Sequence, residues 1–336
     1  MVITRTPFRI SFFGGGTDYP AWYQNHGGAV LSGSIDKYCY LILRHFPPFF
    51  EYRYRVRYAI NENTTVHDDI EHPAVRESLK FLHFKDGVEI MHTADLPAMS
   101  GLGSSSSFTV GLLHGLQALR DEHTTKKKLA DDAIYVEQKR IKENVGSQDQ
   151  VAAAFGGLNK ITFGGKGGIK VSPIDISKKR VHDLEDHLLL FFTGFSRRAS
   201  DIAGKQIKAI PKKAAELRRM QAMVDEGKRI LEPRGRLTDF GELLHEGWML
   251  KRGLSSVVTN DHLDSIYERG RAAGAIGGKI LGAGGGGFML FFVPREKRSA
   301  VRTALKELLC VPFRFETKGS QIIFTRPSEK YEVFEA

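Results

Sequence analysis

Residues 2–13, VITRTPFRISFF, alternate apolar and polar positions closely enough to predict a strand, and Gly14, Gly15 and Gly16 then turn the chain before Asp18 and Pro20. Segments near 29–45, 52–60 and 88–95 are rich in Val, Ile, Tyr and Leu and predict further strands. The last of these leads into LPAMSGLGSSSS, residues 96–107. Beyond it Phe108, Leu112, Leu113, Leu116 and Leu119 follow helical spacing, so the Gly/Ser loop sits at a helix N-terminus. A second helix is predicted from Thr125, a suitable N-cap, to about Glu143. The glycines at 156–168 mark hairpin-like turns, and LLLFFTG at 188–194 reads as a buried strand opening a second unit. Helical patterns over 198–231, 236–256 and 259–273 follow. The strand FMLFFV (288–293), a helix over 295–309 and strand-like residues 311–325 close the chain. Strands and helices mix without regular βαβ alternation, which makes the fold class α+β.

Three glycine-rich stretches compete for a phosphate-binding role. GAGGGG (282–287) satisfies the spacing GxGxxG, but it leads into a strand, whereas a dinucleotide fingerprint must open a helix. GGKGG (164–168) lacks the spacing of a P-loop and reads as a hairpin turn. The loop at 101–106 differs. Gly101 and Gly103 let the backbone curve with its N–H groups turned inward, and a helix with a partial positive charge at its mouth begins immediately after. Backbone amides, serine hydroxyls and a divalent cation can together neutralise a polyphosphate without a P-loop lysine. On the loop alone, serines that merely cap a core helix explain it equally well.

Four charges stand in awkward places. Glu137 shares an apolar stripe with Ile134 and Ile141, so it needs a buried partner, either a structural cation or a metal shared with a serine. Asp149, in GSQDQ, opens a short Ala-rich helix as either an N-cap or a catalytic base. Arg9 lies inside an apolar strand and must meet an anion. Asp18 follows the first glycine turn, where a carboxylate can accept two hydrogen bonds from a diol. Awkward charges gather at functional sites.

Composition narrows the classes. At 336 residues the chain predicts two domains, and 41% hydrophobic with 26% charged residues are ordinary globular values. No apolar run approaches the roughly 18 residues of a membrane helix, and Arg9 and Ser11 interrupt the N-terminal apolar stretch, which predicts a soluble, unexported chain with no membrane partner. Cys39 and Cys310 carry no metal-binding spacing, which fits a reducing cytoplasm. The net charge of +10 favours anionic partners. The basic groups are scattered without interleaved aromatics, so phosphorylated metabolites suit them better than nucleic acid, which is not expected as a partner.

TPFRISFFGGGTDYP (6–20), LPAMSGLGSSSS (96–107) and KILGAGGGGF (279–288) resemble, in order, the three motifs of the GHMP small-molecule kinases, and GSQDQ (146–150) is similar to the segment carrying that family's catalytic aspartate. The resemblance implies a ribosomal-S5-like N-terminal domain over 1–184, a ferredoxin-like C-terminal domain over 185–336, and an active site between them. ATP phosphates would lie on Gly101, Leu102, Gly103, Ser104, Ser105 and Ser106, with Mg2+ held by Ser105 and Glu137. Asp149 would orient the attacking hydroxyl and Arg9 would stabilise it and the charge on the transferring group. A loose phosphoryl transition state needs mainly such positioning and neutralisation. Gly284 and Gly285 would approach the substrate by their backbone, and a homodimer is left open.

Galactokinases carry a Glu-His pair where this chain has Gly15 and Gly16, while Thr17, Asp18 and Tyr19 agree. The emptied space argues against galactose and suits a bulkier sugar. FRISFFGGGTDYP, GSQDQVAAAFGGLN and FFTGFSRRASDI together resemble the branch of the family that phosphorylates the anomeric hydroxyl of D-glycero-D-manno-heptose 7-phosphate. A free-sugar 1-kinase such as a fucokinase shares much of the pattern, and a non-catalytic sensor on the same fold would not need Asp149 beside Glu137. Gly15, Gly16, Thr17 and Asp18 are the expected sugar contacts. Arg197, Arg198, Lys251 and Arg252 are the candidates for a phosphate already on the sugar.

Overall fold

The computed structural model describes residues 1–165, 168–194 and 199–327. Twelve strands carry the architecture: β1 (Val2–Phe13), β2 (Gly28–His45), β3 (Tyr54–Arg57), β4 (Asn61–Thr64), β5 (Val88–Ala94), β6 (Leu158–Phe163), β7 (Lys170–Pro173), β8 (Leu188–Phe192), β9 (Gly277–Ile280), β10 (Phe288–Phe292), β11 (Leu309–Val311) and β12 (Gln321–Thr325). The helices are α1 (Pro20–His26), α2 (Pro73–Phe81), α3 (Ser104–Leu119), α4 (Lys126–Tyr135), α5 (Gln148–Phe155), α6 (Lys178–Asp186), α7 (Ala199–Ala209), α8 (Ala214–Leu231), α9 (Leu237–Arg252), α10 (Asp261–Ala272) and α11 (Arg298–Ala304).

The first sheet has the order β12-β1-β2-β5-β3-β4. β2 is long enough to serve two neighbours on one edge. Its first half, Gly28 to Gly33, pairs with β6, and its second half, Cys39 to His45, pairs with β5. The second sheet, β11-β8-β10-β9, is antiparallel throughout. Backbone pairing crosses the expected boundary at 184/185, because β12 returns from the C-terminal half to pair with β1 and Phe315 bridges Ile35 of β2.

The predicted strands and helices recur with physical corrections at their ends. The 52–60 pattern divides into two short antiparallel strands. The helix expected to Glu143 begins as foreseen, with the Thr125 hydroxyl capping the Lys128 amide, but from Val136 to Ile141 it widens into a π-turn and stops at Lys142, whose φ is 64°. Pro211 lacks the amide a helix interior requires, so the 198–231 pattern breaks into α7 and α8. Only Arg298–Ala304 of the 295–309 segment is α-helical, and 311–325 splits between strands of different sheets.

α3 is buried almost all round because it lies on β1 and β2. A Cβ at Gly115 would stand 2.5 Å from the Leu43 side chain, so the small residue permits that approach. β1 is covered on its other side by α9: Phe12 and Phe13 meet Phe240 edge-on at 5.3 and 5.0 Å. These packings fix β1 between the two halves, and two of its buried polar residues, Arg9 and Ser11, face what remains open. The scattered basic groups belong to solvated faces, as in Lys127–Asp131, Lys128–Asp132 and Lys179–Asp183 at i,i+4. No helix among the described residues is long and apolar enough to cross a membrane.

Candidate active site

A cleft of ≈ 460 Å³ opens where β1, the 101–106 loop, α5, α9 and the 282–283 turn converge. The loop's bend depends on left-handed glycines, Gly101 at φ +83° and Gly103 at φ +79°. Gly103 precedes α3, and no side chain caps the helix there. The first amides of α3, on Ser104, Ser105 and Ser106, therefore have no carbonyl within the helix to bond and are directed at an incoming anion. The Ser104 hydroxyl accepts the Met99 amide at 3.1 Å, which shapes the loop.

The C-terminal glycine turn lies directly against this loop. β9 and β10 flank it as an antiparallel pair, so the reading of GAGGGG as a strand-to-strand turn holds. A Cβ on Gly101 would fall 2.6 Å from the Leu281 carbonyl, and one on Gly282 would fall 2.5 Å from the Gly101 Cα. Gly101→Ala should therefore cost stability twice, by left-handed strain and by this clash, for a total of about 2–3 kcal/mol. Thermal melting checks this; an unchanged melting temperature would contradict the close approach.

Arg9 and Asp149 form the chemical centre. The Arg9 Nε and Nη2 donate to the two Asp149 oxygens at 2.8 and 2.7 Å, and its Nη1 donates to the Gly101 carbonyl at 2.7 Å. The guanidinium is thus anchored at all three nitrogens while its partner stays reachable, the Asp149 side chain being 26% exposed. Asp149 sits in the first turn of α5 without acting as its cap. Asp18 is buried nearby, accepting the Gly16 amide and the Gln148 side-chain amide, each at 2.9 Å. Burial, and then the charge of Asp149, raise its pKa above the usual carboxylate range.

Glu137, 1% exposed, projects from the π-turn. Its Oε2 accepts the Ser106 hydroxyl at 2.9 Å and the Gln150 side-chain amide, whereas its Oε1 makes no hydrogen bond. Burial pushes its pKa up to about 7. A buried carboxylate with one free oxygen beside serines and a phosphate-binding mouth fits a hard cation, which takes oxygen ligands from one or two carboxylates plus the nucleotide's phosphates.

Two ammonium groups complete the floor. Lys251, from α9, donates to the Ile280 carbonyl at 3.1 Å and to the Gly282 carbonyl, and burial followed by the Arg9 charge lowers its pKa to about 7. Lys279, from β9, donates to the Ser11 and Phe12 carbonyls at 2.9 and 2.7 Å. Burial, and next the Lys251 charge, push it well below an ordinary lysine.

Several expected contacts are corrected. Thr17 is fully buried; its single hydroxyl hydrogen is shared between the Gly14 and Ala29 carbonyls and its oxygen accepts the Ala29 amide, so it holds the glycine turn and does not face the cleft. The Leu102 side chain is in the core, and only its carbonyl serves the site, accepting the Arg9 amide. Gly284 and Gly285 pack on Val258, so Gly282 and Ala283 line the cleft in their place. Ser105 lines the cleft as expected of a phosphate or metal contact, while Ser106 is the serine bonded to Glu137. Arg252 pairs with Asp264 at 2.8 Å. Arg197 and Arg198 lie outside the described residues. Gly15, Gly16, Asp18 and Lys251 do line the cleft. Ser11, Gln148, Gln150 and Lys279 lie inside the motifs without an expected role there; Ser11's place two residues from Arg9 on one strand face is the signal that could have marked it.

A second, more apolar cavity of ≈ 360 Å³ shares Ser104, Ser105 and Glu143 with the cleft. Phe108 is its centre, stacked on His72 at 4.6 Å and met edge-on by His92 at 5.2 Å. Burial drives His72 down to about 4, so its ring is neutral near pH 7.

A helix mouth for phosphate, a bidentate Arg–Asp pair and a cation-ready glutamate are the parts of a phosphotransferase with an alcohol group as acceptor. The family description "GHMP kinases N terminal domain" matches residues 71–157 and "GHMP kinases C terminal" matches 228–309. A D-glycero-alpha-D-manno-heptose 7-phosphate kinase of Campylobacter jejuni is 32% identical over 90% of this chain and 93% of its own. A bifunctional fucokinase/GDP-fucose pyrophosphorylase of Arabidopsis thaliana is 25% identical over 90% of this chain but 31% of its own. The crystal structure of a D-glycero-D-manno-heptose 1-phosphate kinase from Bacteroides thetaiotaomicron shares the fold at a TM-score of 0.76 and 23% identity, covering 97% of this chain and 100% of that one. The chain belongs to the GHMP kinases, a family that uses ATP as phosphate donor.

Proposed function

We propose that this kinase transfers the γ-phosphoryl group of ATP to the anomeric hydroxyl of D-glycero-D-manno-heptose 7-phosphate, giving the 1,7-bisphosphate that precedes nucleotide-activated heptose. The carrying observation is the Arg9–Asp149 pair at the lip of the α3 mouth, with buried Asp18 beside it. The amides of Gly103 to Ser106 would hold the triphosphate, and Glu137 with Ser105 or Ser106 would hold Mg2+, which would supply charge neutralisation there. The rest is done by side chains. Asp149 orients the acceptor hydroxyl and receives its proton, and Arg9 fixes the aspartate and balances charge on the group in flight. Asp18 holds sugar hydroxyls. The cavity around Phe108 takes the adenine ring, since it adjoins the phosphate loop and offers the flat rings of Phe108, His72 and His92.

The heptose assignment draws support from the Campylobacter relative and from Gly15 and Gly16, which leave room at the sugar side. ADP release measured across heptose 7-phosphate, mannose, fucose and galactose tests it. Heptose 7-phosphate should be turned over with the highest kcat/KM; equal or better turnover of an unphosphorylated sugar would replace this reading with that of a free-sugar 1-kinase.

A further inference from the structure

We infer that the end of the cleft bounded by the Ser11 hydroxyl and the Lys279 ammonium is a subsite for a phosphate monoester already carried by the sugar. The inference rests on the reading of the protein as a sugar-phosphate kinase and adds the residues that would recognise that phosphate. Ser11 is 5% exposed, faces the cleft, and its Oγ makes no hydrogen bond. A buried hydroxyl left without a partner is costly unless a ligand supplies one. Lys279 and Lys251 each use two donors on backbone carbonyls and meet no carboxylate by hydrogen bond, although an ammonium carries three donors. Among the described residues both side chains are hydrogen-bonded only to carbonyls, so an anion entering the cleft would give each amine the partner it lacks.

That anion is distinct from the one being transferred. Arg9 holds Asp149 against the Gly101 carbonyl of the phosphate loop, which marks its position as the transfer end. Ser11 lies two residues further on the same face of β1, a separation of about 7 Å at the usual strand rise. A pyranose placed with its anomeric hydroxyl at Asp149 would present a phosphate on its far carbon to Ser11 and Lys279. A free sugar would leave the hydroxyl and both ammonium groups without their anion, so the subsite selects for phosphorylated acceptors.

The test compares kcat/KM for heptose 7-phosphate with that for the unphosphorylated heptose. Ser11→Ala should lower this ratio about tenfold or more, mainly through KM, as expected for loss of a hydrogen bond to a charged group. Lys279→Met should lower it further. Because Lys279 also ties β9 to β1 and its loss can loosen the fold, Ser11→Ala, which removes an atom with no partner, is the decisive variant; an unchanged ratio would overturn the subsite. If the wild-type enzyme turns over no heptose phosphate, the substrate assignment alone fails. The subsite is then read by titrating inorganic phosphate into enzyme saturated with a non-hydrolysable ATP analogue: weaker phosphate binding by Ser11→Ala supports it, and equal binding refutes it.

Discussion

Asp149→Ala should lower kcat by about 10³-fold while changing ATP affinity by no more than a few-fold. The carboxylate is the one group in the cleft both fixed by a guanidinium and open to an acceptor hydroxyl, whereas the nucleotide is gripped by backbone amides that the substitution does not touch. Removing it frees the Arg9 Nε and Nη2, but Nη1 stays on the Gly101 carbonyl, so the loop keeps its shape. Steady-state kinetics together with nucleotide titration separate the two effects. Turnover within a few-fold of wild type would remove Asp149 from the chemistry, and a parallel loss of ATP binding would make it structural.

Glu137→Gln should lower activity about 10²-fold at limiting Mg2+, and raised Mg2+ should restore part of it. The substitution is nearly isosteric, and the glutamine oxygen can still accept from Ser106 and Gln150. What disappears is the negative charge at the free Oε1. Stability offers a readout independent of turnover. The folded protein holds the Glu137 proton more tightly than the unfolded chain does, since burial raises its pKa from the ordinary 4.5 to about 7. Its contribution therefore favours folding below about pH 4.5, declines as pH rises, and levels off above about 7 at a cost of roughly 3 kcal/mol. A bound cation offsets that cost. Melting curves from pH 5 to 8 should fall less steeply for Glu137→Gln than for wild type, and Mg2+ with nucleotide should stabilise wild type more than the variant. Identical slopes and identical cation responses would contradict the metal assignment.

The sequence made the phosphate loop legible because its chemistry is local: two glycines, a serine run and an apolar helix are contiguous. Arg9, Asp18, Glu137 and Asp149 were visible for a different reason, as charges placed where burial is expected, and all four are found in or beside the cleft. Burial alone could not tell a contact from a support. Thr17 lies within the first motif, yet its hydroxyl is spent on the backbone of Gly14 and Ala29. Gly284 and Gly285 were chosen over Gly282 and Ala283 because spacing does not reveal which side of a hairpin faces the site. Lys279 depends on β9 reaching across to β1, a pairing of residues 268 apart that no local pattern encodes. The Phe108 cavity gathers Tyr58, His72, His92 and Phe108 from separate elements, and these four aromatic residues belong to no motif.

The helix mouth between Gly103 and Ser106 is the point on which the account turns, and a crystal structure with Mg2+ and a non-hydrolysable ATP analogue tests it most directly. The β- and γ-phosphates should accept hydrogen bonds from the amides of Gly103 to Ser106, with the cation touching Glu137 and the γ-phosphate facing Asp149. Phosphates bound away from that mouth, or a cation with no contact to Glu137, would contradict it.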